Sequence, residues 1–205
     1  MRADRVGTAY SAVAGLYIDL FGTTGAVHAD DLALVDRHLT GLAGPVLDLG
    51  CGPGHLTAHL RSLGADATGI DVVPEFLDHA RVTHPGTPYR LGTLHPLDVA
   101  PGSVGGILAW YSLIHLPPAD LDPVLSGFHR ALAPGGALVT GFFDAPGGAI
   151  GPFDHKVTTA YRWPAGAFAE RAARAGFTEV ERVRRGASEG HRPHAAIAFA
   201  ADVRR

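Results

Sequence analysis

The chain has 205 residues, 46% of them hydrophobic, and a formal net charge of −3. That is enough apolar surface for one domain with a full core, and no basic block marks a nucleic-acid-binding face. No apolar run approaches the ~20 residues that cross a bilayer, the N-terminus lacks a secretory pattern, and the single cysteine, Cys51, excludes an internal disulfide.

In chain order, residues 1–40 read as helical. One helix is expected over Ala9 to Leu20, with Tyr10 and Tyr17 on one face. A second is expected over Ala29 to Leu39, with Asp30 and Asp31 at its positive end. Gly41 to Pro45 breaks the pattern. Val46 to Leu49 is then a short apolar strand interrupted by Asp48, emptying into glycines at 50, 52 and 54. A helix follows from His55, with Leu56, Leu60 and Leu63 on one side. Such a strand, glycine loop and helix form the first βα unit of a nucleotide-binding α/β fold. Ala67 to Asp71 is a second strand, whose terminal acid comes about 20 residues after the loop, the distance at which a ribose-binding carboxylate belongs.

A dinucleotide fingerprint needs a glycine where this chain has His55, so a nicotinamide oxidoreductase is the weaker alternative. Pro74 to Arg81 reads as a helix, and Thr87 to Leu91 as an edge strand because of Pro88. Val104 to Tyr111 is apolar throughout and so buried on both faces. Residues 110–115 then lie past a strand's carboxyl end, where open α/β sheets bind ligands. Asp120 to Leu132 is a helix stopped by Ala133 to Gly136, and Ala137 to Phe143 is a fifth strand. The glycine- and proline-rich stretch from 144 to 163 reads as a loop able to close over a substrate. Pro164 to Gly176 is a helix, and Thr178 to Arg185 with Ala195 to Ala200 form a final antiparallel hairpin. The expectation is one domain, 1–205, with a Rossmann-like, seven-stranded, mostly parallel sheet and helices on both faces. It comprises a helical cap (1–40) and an α/β core (45–205).

The run from Val46 to Gly54, with Gly69-Ile70-Asp71, resembles the class I S-adenosylmethionine-dependent methyltransferases. Leu132 to Gly136 before the fifth strand is a further feature of that family. The resemblance implies S-adenosylmethionine as cofactor. Its methionine part would lie on Gly50, Gly52 and Gly54 behind Asp48, and its ribose on Asp71. Its adenine would lie on Thr93 and Leu94, and Trp110 is a further candidate cofactor contact, in an aromatic wall for the sulfonium or a flat substrate. The segment from Ala109 to His115 is similar to bacterial small-molecule methyltransferases of specialised metabolism with short helical N-termini. That likeness implies a small aromatic or heterocyclic acceptor, an indole-type compound among the candidates, and a monomer or homodimer.

Methyl transfer releases a neutral leaving group, so positioning in a dry cavity does much of the work, and a base is needed only for a protonated nucleophile. His115 is the candidate base or orienting group, since histidine titrates near neutrality. Tyr10 and Tyr17 are its candidate partners, against the plain alternative that they pack the helices down. Tyr111, Phe143, His155 and Trp163 are candidate substrate contacts, although aromatic residues in such positions commonly belong to the core. His55 and His59 have a metal-ligand spacing, but no glutamate lies between them and His55 falls at the cofactor loop; no metal is expected. Binding of the cofactor without catalysis is the remaining alternative.

Overall fold

A computed structural model describes residues 2–188 and 190–202, with side chains from residue 5 onward. Seven strands form one sheet in the order β3-β2-β1-β4-β5-β9-β8. They are β1 (Val46–Leu49), β2 (Ala67–Asp71), β3 (Tyr89–Leu91), β4 (Val104–Trp110), β5 (Leu132–Phe143), β8 (Phe177–Arg185) and β9 (His194–Ala201). β1 to β5 run parallel; β9 is antiparallel to both β5 and β8. β1 lies between β2 and β4, so the strand order reverses at its carboxyl end and opens a crevice there.

Side-chain alternation along the central strands builds two cores. Ile107 and Ala109 of β4 face α6 (Pro118–Ala131) and α7 (Ala165–Arg174), where Leu125, Phe128 and Phe168 meet them. Leu108 faces the opposite side, against Leu34, Val35 and Leu39 of α3 (Ala29–Leu39) and Leu56 and Leu60 of α4 (His55–Ser62). β9 shows the same division: Ile197 and Phe199 fill the first core, while only Ala196 and Ala198 face α3. Small side chains on that face let α3 settle close to the sheet.

Three elements differ from the sequence reading. The first helix is two, α1 (Arg2–Ser11) and α2 (Ala14–Phe21), parted at Val13. No proline marks this break; it follows from docking, because both pieces pack on Phe76 of α5 (Pro74–Thr83). Tyr10 and Tyr17 still meet edge to face, with ring centroids 5.3 Å apart. Second, β5 starts at Leu132, so Ala133 to Gly136, read as a helix stop, already belongs to the strand. Third, residues 144–163 contain an antiparallel ribbon of β6 (Gly151–Asp154) and β7 (Thr159–Arg162). Its strands are four residues long, and Pro152 is tolerated because a two-stranded ribbon has only edges. Among the described residues, no helix is long and apolar enough to cross a membrane.

Candidate active site

The crevice at the end of β1 holds a cavity of about 350 Å³, walled by the glycine loop, the ends of β2 and β4, the first turns of α6, and α1 and α2 from above. Gly50, Gly52 and Gly54 all have positive φ, at 75°, 53° and 83°. Their surroundings differ. A Cβ on Gly50 would lie 2.4 Å from Ser112 Cβ, and one on Gly54 would lie 2.6 Å from the Tyr89 hydroxyl. A Cβ on Gly52 would meet only Tyr17 Cε1, at 3.9 Å, and would therefore project into the cavity. Two glycines thus let the loop pack; Gly52 leaves bare backbone for a ligand.

Asp71 is 7% exposed and lines the same wall. Its carboxylate accepts the Gly52 N–H at 2.8 Å and the Val73 N–H at 2.9 Å, one on each oxygen. Burial holds its pKa above the usual carboxylate value despite these backbone bonds. A carboxylate has about four acceptor positions, so acceptor capacity remains for a ligand hydroxyl. The bare Gly52 and the carboxylate of Asp71 therefore fit the amino-acid tail and ribose of a nucleoside cofactor. Thr93 and Leu94 line the next part of the cavity, with His95, Asp120 and Val124.

Two predicted cofactor residues do not reach the cavity. Asp48 is 1% exposed and accepts the Thr57 hydroxyl at 2.6 Å, tying β1 to α4. Burial pushes its pKa up to about 7. Gly54 is covered by Tyr89, whose hydroxyl donates to the Gly54 carbonyl at 3.0 Å.

Opposite the loop, Tyr10, Tyr17, Trp110, Tyr111 and His115 line the remaining wall. His115 Nδ1 lies 3.0 Å from the Thr159 carbonyl and Nε2 lies 2.9 Å from the Tyr10 hydroxyl. A carbonyl only accepts, so Nδ1 carries the hydrogen, and Nε2 of the neutral ring accepts the Tyr10 proton. Burial lowers the His115 pKa, which favours that neutral ring. Burial raises the Tyr10 pKa, with help from Tyr17 and Asp71, and pushes Tyr17 up to about 12. Tyr17 lies over Gly52 and beside Asp71, in the cofactor half.

Tyr111 has φ of 53°, uncommon for a bulky residue. Its N–H donates to the Gly141 carbonyl at 2.9 Å and its hydroxyl is bonded to His194 Nδ1. His194 Nε2 lies 3.2 Å from Asp31 Oδ2, and Arg185 grips the same carboxylate with both terminal nitrogens. Burial acts to raise the Asp31 pKa, but the bonds from His194 and Arg185 prevail and the net direction is down. Sequence reasoning missed His194, Asp31 and Arg185, which come from three distant segments. It also missed Ser112, whose buried hydroxyl has no partner among the described residues and lies against Gly50.

Three predicted substrate contacts fall outside the cavity wall. Trp163 is 2% exposed in the core beneath Phe168, with the Arg171 guanidinium 5.6 Å from its ring. Phe143 backs Tyr111, with centroids 4.8 Å apart. His155 backs His115 at 5.4 Å, its pKa pushed down to about 4 by burial, His115 and Arg192. Of the histidine pair at the loop, His59 is bonded to Asp36 at 2.7 Å, and burial lowers the His55 pKa to about 4.

Fold and site together describe an α/β domain whose crevice has the features of a nucleoside-cofactor site. Residues 46–136 match the family model described as a methyltransferase domain. An uncharacterized methyltransferase of Synechocystis sp. is 36% identical over 91 residues, 44% of this chain and 43% of its own. The malonyl-[acyl-carrier protein] O-methyltransferase of Pectobacterium atrosepticum is 32% identical over 135 residues, 65% of this chain and 51% of its own. The chain thus spans about half the length, or less, of the curated relatives it matches. Among solved structures, the 1,6-didemethyltoxoflavin-N1-methyltransferase of Burkholderia thailandensis, with S-adenosylhomocysteine bound, aligns with TM-score 0.81 and 21% identity over 98% of this chain and 89% of its own. The [4+2]-cyclase SpnF shares the fold at TM-score 0.76 and 16% identity, over 98% and 97% of the two chains. Residues 46–136 thus match a methyltransferase domain, and the chain shares its fold with a methyltransferase that holds S-adenosylhomocysteine.

Proposed function

We propose that the protein transfers the methyl group of S-adenosylmethionine to a small aromatic or heterocyclic acceptor. When bound, the cofactor supplies an electrophilic methyl on a positively charged sulfur. Gly52 and Asp71 hold its two ends, Thr93, Leu94 and Trp110 flank it, and Tyr17 covers it. The acceptor lies between Tyr111 and the Tyr10–His115 pair.

The observation that carries this reading is that Tyr10 and His115 share one cavity with Gly52 and Asp71. As the acceptor is methylated, its N–H or O–H proton passes to the Tyr10 oxygen while the Tyr10 proton passes to His115 Nε2. The imidazolium keeps its Nδ1–H on the Thr159 carbonyl. His115 is thus the base, acting through Tyr10. The cap over the crevice keeps water from the reacting atoms.

We place the enzyme in cytoplasmic natural-product biosynthesis, as a monomer or homodimer. The test is incubation with S-adenosylmethionine and a panel of N–H- and O–H-bearing heterocycles, indoles first, followed by mass spectrometry. A product one methyl group heavier is expected, together with S-adenosylhomocysteine. Cofactor binding without methylated product across the panel would favour the second reading, a binder or a non-methylating enzyme, for which the cyclase-like fold is the specific support.

A further inference from the structure

The acceptor half of the cavity has a hydrogen-bond polarity. Among the described residues that line the cavity there is no lysine or arginine, and the carboxyl groups are Asp71 and Asp120. The Tyr10 hydroxyl gives its hydrogen to His115 Nε2, because Nδ1 is committed to the Thr159 carbonyl. Tyr111 repeats the arrangement from the other side. His194 Nε2 stands 3.2 Å from the buried Asp31 carboxylate, which only accepts, so the geometry puts a hydrogen on Nε2 and leaves Nδ1 to take the Tyr111 hydrogen. Arg185 holds Asp31 in place, and Asp31 and His194 are 2% and 5% exposed. Each tyrosine is therefore backed by a histidine whose far nitrogen faces a group unable to donate. Each has spent its one proton inside the protein, leaving lone pairs on its oxygen.

We propose that the acceptor is an uncharged molecule that donates N–H or O–H hydrogens to Tyr10 and Tyr111, and that a carboxylate is rejected. This rests on the methyl-transfer reading and narrows its substrate class. A carboxylate oriented toward these oxygens would set lone pairs against lone pairs, with no cation on the wall to offset its lost hydration. A neutral N–H or O–H there makes a hydrogen bond and stands on the path by which its proton leaves.

The test uses the full chain saturated with S-adenosylhomocysteine and two isosteric probes, indole-3-carboxamide and indole-3-carboxylate, titrated by calorimetry. The carboxamide is expected to bind about tenfold or more tighter; equal affinities or a preference for the carboxylate would overturn the proposal. A second measurement needs no acceptor: nitrogen-15 NMR of the histidine rings at neutral pH. The proposal requires His115 protonated on Nδ1 alone and His194 on Nε2 alone, and the opposite tautomer at either ring would overturn it. In His115→Phe the freed Tyr10 hydroxyl should narrow the preference for the carboxamide. Failure of S-adenosylhomocysteine to bind at all would instead sink the methyl-transfer reading, so the two failures are distinguishable.

Discussion

The two halves of the cavity are built by different means. The grip proposed for the cofactor's two ends is backbone and one carboxylate, drawn from β1, the loop after it and β2, within 28 residues of sequence numbered 46–73. The proposed acceptor half is side chains from α1, the turn after β4 and β9, with a backbone carbonyl of the β6–β7 ribbon, joined by hydrogen bonds spanning 44 to 105 residues of sequence. A local, backbone-made site tolerates change elsewhere; one made of long-range side-chain bonds changes with any element that holds it. The first suits a fixed cofactor and the second an acceptor that differs among relatives.

Mutations that separate the halves test this contrast. The largest effect is expected for His115→Ala, which should lower turnover roughly a hundredfold or more while leaving cofactor affinity nearly unchanged. Steady-state kinetics beside calorimetry would check it, and equal losses in both would remove His115 from the proton path. Next come two glycines of one loop. Gly54→Ala forces a Cβ into Tyr89 at positive φ and should destabilise the fold by about 2–5 kcal/mol in denaturant unfolding. Gly52→Ala should lower stability by only about 1 kcal/mol, yet weaken S-adenosylhomocysteine binding about tenfold, since its Cβ enters the cavity. Matching effects at the two positions would erase the distinction between packing and binding glycines.

A smaller effect concerns Asp48, which braces the loop from beneath. Its folded-state pKa is raised to about 7, so the folded protein keeps a proton that the unfolded chain has lost. The stability this contributes is full below about pH 4 and is lost as pH rises through about 7. Asp48→Asn accepts the same Thr57 hydrogen bond and does not ionise. Between pH 5 and pH 8 the wild type should therefore lose roughly 2 kcal/mol relative to this variant in urea unfolding. A constant difference would show that Asp48 is charged throughout.

What could be read from the sequence follows the same division. The strands from 46 to 71, the glycine loop and Asp71 were legible because tight turns and strand-end acids constrain residue type at fixed spacing. The seven-stranded sheet was legible from runs such as Val104 to Trp110, buried on both faces. The motif did not say which glycine faces a ligand, since Gly52 and Gly54 look alike until Tyr89 is placed. His115 stood out by its position past β4. His194, Asp31 and Arg185 carried no local signal, because only the fold brings them to Tyr111. Trp163 misled for a related reason: it follows the ribbon, bridged to Asp144, and its ring packs into the core rather than toward the cavity.

The most direct measurement is calorimetric titration of S-adenosylhomocysteine into the wild type and Asp71→Ala, with unfolding curves to show that both are folded. A crevice in which Asp71 clasps the sugar predicts saturable binding to the first and affinity at least about a hundredfold weaker in the second. Equal affinities in two folded proteins would contradict it.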